Sequence, residues 1–160
     1  KPFVLRQQIT DNGQQTTVKI INEDFISDGI HIFLIDTKIK SPTAPLVEHF
    51  KKLRQDNIYL EKFDNEYIPL VSNCIGSLTN KNDDDFYTYL YRLSQLQLEL
   101  LSHTIPESTR HYFLKNIKED GFQVKLCGAG GGGYLLGFSD NIDKTNKYWN
   151  NIGKTIIWVK

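Results

Sequence analysis

The stretch Lys125-Leu126-Cys127-Gly128-Ala129-Gly130-Gly131-Gly132-Gly133-Tyr134 carries five glycines in six positions. Glycine at that density removes side chains and admits backbone conformations closed to other residues, so the chain can approach another group closely here. N–H groups that converge in such a loop form a concavity for an anion without any net charge on the domain. On either side, Phe122 to Leu126 and Tyr134 to Phe138 read as strands, which makes a strand, glycine loop, strand unit.

Gly128 to Gly133 formally satisfies G-x-G-x-x-G. The dinucleotide fingerprint also needs a helix directly after the glycines and an acidic residue about 20 positions later. Tyr134-Leu135-Leu136-Gly137-Phe138 is β-like instead, so that reading is set aside. A Walker loop fails because no Gly-Lys-Ser/Thr follows and the nearby lysine, Lys125, precedes the glycines. The plain alternative is a flexible hairpin connection. Against it stands the backbone entropy that so many glycines cost.

Working outward, Thr104-Ile105-Pro106-Glu107 matches a capping box and predicts a helix through about Glu119 that stops at Gly121. Before it, Phe86, Leu90, Leu93, Leu96, Leu100 and Leu101 form an apolar stripe on a helix from Phe86 to His103, and Phe63 to Leu78 is a further helix. Ser41-Pro42-Thr43-Ala44-Pro45 offers hydroxyl caps for a helix with Leu46, Val47, Phe50 and Leu53 on one face. His31 to Asp36 is a short apolar run suited to a central strand. Phe3 to Ile9 and Thr16 to Ile21 flank Asp11-Asn12-Gly13 and predict a hairpin. After the glycine loop's second strand come a helix, Asp140 to Asn151, and a last strand, Thr155 to Val159. The elements lack a regular βαβα rhythm. The expected class is therefore α+β, a two-layer sandwich of ferredoxin-like topology with a mostly antiparallel sheet packed against helices.

With 160 residues, 39% of them hydrophobic, the chain can bury one sizeable core but not two. Nineteen basic residues balance nineteen acidic ones, which leaves no field to attract nucleic acid or a membrane surface. Cys74 and Cys127 are too far apart in sequence for a paired metal motif and point to a reducing compartment. No apolar run reaches the roughly 18 residues of a membrane span, so a cytoplasmic protein is expected. The chain has no methionine and opens on a strand-like segment, which suggests a piece of a longer protein.

Lys-Leu-Cys-Gly-Ala-Gly-Gly-Gly-Gly closely resembles the third signature of the galactokinase, homoserine kinase, mevalonate kinase and phosphomevalonate kinase (GHMP) superfamily. The leucine-rich helix, Ser102-His103-Thr104-Ile105-Pro106-Glu107 and the segment into Gly121-Phe122 follow the order of that family's C-terminal domain, and Leu34 to Thr43 resembles mevalonate kinase-like members. The resemblance implies residues 1–160 are the C-terminal domain of an ATP-dependent kinase that phosphorylates an alcohol, with mevalonate favoured and phosphomevalonate or a sugar as alternatives. It implies ATP and Mg2+ in the full-length enzyme and none bound to this chain alone. The family's phosphate loop and catalytic aspartate region have no counterpart here, so no catalytic residue is assigned and the chain alone is expected to be inactive. The implied partners are the small-molecule substrate, the N-terminal domain of the same protein and, as an option, a second copy. A non-catalytic ferredoxin-like ligand-binding or interaction domain is the rival.

By the same resemblance Gly128, Ala129, Gly130, Gly131 and Gly132 line the active-site cleft, and Thr43 lies near the substrate. Thr43 is equally placed to cap its own helix. Asp36 could face the cleft or accept backbone N–H groups in its turn. Lys125 could reach a phosphate or be solvated or paired. Asp83-Asp84-Asp85 suits the positive end of a helix better than a metal. The four histidines show no spacing that sets two together by a carboxylate, so no metal site or triad is assigned. Cys127 is expected to be a buried, inert thiol.

Overall fold

A computed structural model describes residues 3–10, 13–20, 25–40 and 42–159. Strands β1 (Phe3–Thr10) and β2 (Gly13–Ile20) pair antiparallel in a sheet of their own, as the hairpin expectation required. Asp11 and Asn12 of its turn lie outside the described residues.

The main sheet has four strands: β3 (His31–Asp36), β4 (Phe122–Leu126), β5 (Tyr134–Ser139) and β6 (Ile156–Trp158). Their order is β4-β5-β3-β6, and every neighbouring pair is antiparallel. β3 is interior, as its apolar run predicted. Helices come between β3 and β4 and again between β5 and β6, which gives the split βαβ order of the ferredoxin-like fold. The expected α+β sandwich is what forms.

The helices are α1 (Thr43–Leu53), α2 (Asn57–Lys62), α3 (Ile68–Thr79), α4 (Asp83–Leu100), α5 (Ile117–Asp120) and α6 (Ile142–Asn151). A π-helical segment, Phe63–Tyr67, joins α2 to α3. The predicted stripe of α4 is buried at Phe86, Leu90, Leu93, Leu96 and Leu100, each contributing about 1.5–3 kcal/mol relative to exposure. These residues share a cluster with Leu70 and Cys74 of α3 and with Phe138 of β5. Successive strand residues face opposite sides. Phe33, Ile35, Leu135, Phe122 and Val124 therefore meet a second cluster, with Trp149 of α6 and with Tyr112 and Phe113. Cross-strand from Gly137, the Phe33 ring occupies the space where a Cβ would stand.

The free edge of β4 is covered by α4. Ser94 Oγ donates to the Val124 carbonyl at 2.5 Å and the Leu126 N–H donates to Gln97 Oε1 at 2.9 Å, so backbone groups of the edge strand find partners. At the other end of the sandwich, Asn141 caps α6 by accepting from the Lys144 N–H. The buried Thr145 hydroxyl there contacts Ser139 and the Gly121 carbonyl.

The capping box is corrected. Thr104 Oγ1 donates to the Leu101 carbonyl rather than accepting an amide, and the region folds as two 3-10 segments, Ser102–Thr104 and Glu107–Leu114, with α5 after them. Pro106 sits at the start of the longer segment and makes no side-chain cap. Gly121 does end α5, in the left-handed conformation at φ 80°. Among the described residues no helix is long and apolar enough to cross a membrane.

Candidate functional site

Between β4 and β5 the glycine loop takes a path that other residues rarely follow. Gly128, Gly130, Gly131 and Gly133 have φ between 66° and 78°. Two clamps hold it. The Gly131 N–H donates to the Thr104 carbonyl at 2.5 Å, and the Gly133 N–H donates to the Ile39 carbonyl at 2.8 Å. In return the Gly133 carbonyl accepts from both the Thr37 N–H and the Thr37 hydroxyl, at 2.9 and 2.8 Å. A Cβ at Gly130 would stand 2.5 Å from the Thr104 carbonyl oxygen, and one at Gly132 would strike the Ile39 carbonyl. The glycines thus let the loop lie against the exit of β3 and the turn after α4. Two of its amides are spent on that packing, so the anion-binding concavity of converging N–H groups does not form from Gly131 and Gly133.

Facing the loop across a cleft of about 590 Å³ is the start of α1. Its lining includes Ile39, Lys40, Thr43, Cys127, Ala129, Gly130, Gly132 and Tyr134. The structure therefore brings Thr43 together with three of the five loop residues singled out in the sequence. Gly128 and Gly131 belong to the same loop but do not line the cleft. Thr43 is the first residue of α1 and is exposed, while Pro42 holds the N-cap position without a side-chain bond. Capping is accordingly not its role.

Of the other singled-out residues only Cys127 lines the cleft. Asp36 accepts the Lys38 backbone N–H and its ammonium, each at 2.8 Å, and these bonds hold its carboxyl below the usual range. Lys38 takes φ 60° in that turn, a conformation uncommon outside glycine. Lys125 donates to the Leu126 carbonyl at 2.6 Å, and burial pulls its ammonium below the ordinary lysine value. It is neither solvated nor ion-paired as anticipated. Asp83 to Asp85 open α4 as expected, with Asn82 as the cap and Asp83 accepting from Ser27. Cys127 is exposed on the loop, against expectation, because it leaves the sheet one residue after β4 ends. Cys74 is the buried thiol, pushed up to about 12 by burial.

One juxtaposition escaped the sequence. His49 of α1 and His103 of the turn after α4 lie with ring centroids 4.3 Å apart. Nothing in their separation along the chain signals it. Among the described residues no group of three or more His, Cys, Asp or Glu side chains is placed to hold a metal.

No protein-family model and no curated protein matches the chain. Solved structures do. The L. major mevalonate kinase in complex with R-mevalonate aligns over 97% of this chain with a TM-score of 0.71 at 16% identity. Streptococcus pneumoniae phosphomevalonate kinase, in complex with phosphomevalonate and AMPPNP, aligns over 94% with a TM-score of 0.63 at 16% identity. The chain has the fold found in mevalonate and phosphomevalonate kinases. A Listeria innocua protein, Lin0012, aligns over 89% with a TM-score of 0.72 at 17% identity. At these identities the likeness is one of fold. The chain spans less than half of each of those structures, 48%, 44% and 41% of their lengths in the order given. The mevalonate kinase-like fold agrees with the superfamily resemblance of the glycine loop.

Proposed function

We propose that this chain is the C-terminal part of an ATP-dependent kinase that phosphorylates a small alcohol, with mevalonate the favoured substrate. The observation that carries the reading is the cleft in which a wall of small residues, Ala129, Gly130 and Gly132, faces the exposed Thr43. The fold likeness adds support, since the aligned structures are described with R-mevalonate in one and with phosphomevalonate and AMPPNP in another.

In this reading the glycine wall lets a substrate and the phosphate-binding parts of the N-terminal domain come close to backbone, and Thr43 offers a hydroxyl to a polar substrate group. Phosphoryl transfer rests on positioning and charge stabilisation, so a rigid wall contributes by fixing distances. ATP and Mg2+ belong to the full-length enzyme. On this chain the Gly131 and Gly133 amides are already bonded to Thr104 and Ile39. The reading also places the protein in the cytoplasm, with the N-terminal domain as this chain's partner and a second copy as an option.

The test measures ATP consumption by the full-length gene product with mevalonate, phosphomevalonate and sugars, beside the 160-residue chain. Turnover of mevalonate by the longer protein alone is expected. Absence of turnover with every alcohol overturns the kinase reading in favour of a non-catalytic binding module.

A further inference from the structure

α1 lines the cleft with its first residue, Thr43, yet the helix is lightly held. None of its residues is buried, and Phe50 is the residue by which it packs on the first apolar cluster, with its ring 5.3 Å from that of Phe63 and 6.4 Å from that of Tyr59. Its second aromatic contact is the tilted stack of His49 on His103. His103 adjoins Thr104, whose carbonyl accepts the Gly131 N–H and whose side chain crowds Gly130. The histidine pair therefore ties α1 to the anchor of the glycine loop.

We propose that the His49–His103 contact is a proton-operated latch on the cleft, which holds α1 against the loop anchor when the His103 ring is neutral and lets it go when that ring is protonated. His103 Nε2 is buried and has no hydrogen-bond partner among the described residues, so a proton there finds no acceptor. The charges beside the pair offer no relief. On α1, Glu48 is paired with Lys51, and Lys52 is a further cation. From the second 3-10 segment, Arg110 donates to the Ser102 carbonyl and pairs with Glu107. The glycine loop brings no charge. Burial, then the neighbouring His49, holds the His103 imidazole below its ordinary value. The closed form accordingly binds protons less readily than the open one and is lost as pH falls below the ordinary imidazole range.

The test needs no activity, so it stands or falls apart from the kinase reading. Amide exchange by NMR is followed for Arg54, whose N–H closes the last turn of α1 on the Phe50 carbonyl, and for Gly131, bonded to Thr104, from about pH 7.5 to about pH 5.5, with rates normalised to the unstructured chain at each pH. The ratio of Arg54 to Gly131 protection is expected to fall by up to about tenfold per pH unit below the histidine range. In His103→Gln the ratio should lose this pH dependence. A constant ratio in the unaltered protein, or an undiminished fall in His103→Gln, overturns the latch. If His103→Gln does not fold, the unaltered protein's ratio decides alone.

Discussion

At Gly130 the backbone of the neighbouring turn already fills the place of a side chain, whereas at Gly128 a Cβ would meet open space. Both have positive φ, so alanine at either position bears the left-handed penalty of about 1–2 kcal/mol. Gly130→Ala must in addition push Thr104 away, and is expected to cost at least about 1 kcal/mol more than Gly128→Ala in urea unfolding. Equal costs would show that the loop is not pressed on Thr104. Thr43 poses the opposite case, since it is exposed and caps nothing. Thr43→Ala should leave the melting temperature within about a degree, and on the proposed kinase reading it should lower kcat/KM of the full-length protein about tenfold, the worth of one hydrogen bond to substrate. A drop in stability with unchanged kinetics would return Thr43 to a structural role. The two thiols separate in the same way. Cys127 should react with a disulfide reagent in the native protein near pH 8, and Cys74 only after unfolding.

Among the elements, α4 does two jobs, filling the first cluster with its apolar stripe and covering the β4 edge with Ser94 and Gln97. Gln97→Met keeps the volume but leaves the buried Leu126 N–H without its acceptor, and should lower the unfolding free energy by about 1–3 kcal/mol in chemical denaturation. A neutral result would mean another acceptor moves in. The stripe of α4, the strand at 31–36 and the helix stop at Gly121 were legible because each depends on local period or on one residue's backbone preference. The capping box misled because its hydroxyl and its carbonyl were both claimed, by Leu101 and by Gly131. A tertiary partner overrode a local pattern. The π-helical segment left no mark in the apolar spacing that predicts helices. In the cleft, the family resemblance singled out Thr43, Ala129, Gly130 and Gly132 of the lining residues, while the pairing of His49 with His103 arises only when α1 docks.

For the whole molecule, acid is the revealing variable. Burial first, with His49 beside His103 and Lys115 and Lys154 beside His111 second, holds both imidazoles below the ordinary value of 6.5. A base so depressed takes up its proton more readily in the unfolded chain, so its stabilising effect is complete above that value and is lost as pH falls below it. The urea midpoint should therefore fall between about pH 7 and about pH 5, and His111→Gln should remove part of the fall. A midpoint that rises on acidification would contradict this. The pairing of β3 with β5 also has a consequence in time. The bonds from Thr37 to Gly133 span 96 positions. Contacts between distant positions close late, because the chain's freedom must be surrendered before they reward it. The helices between them form from near neighbours. The cleft is thus assembled at the end of folding, in the same late step that closes the central pair of the main sheet.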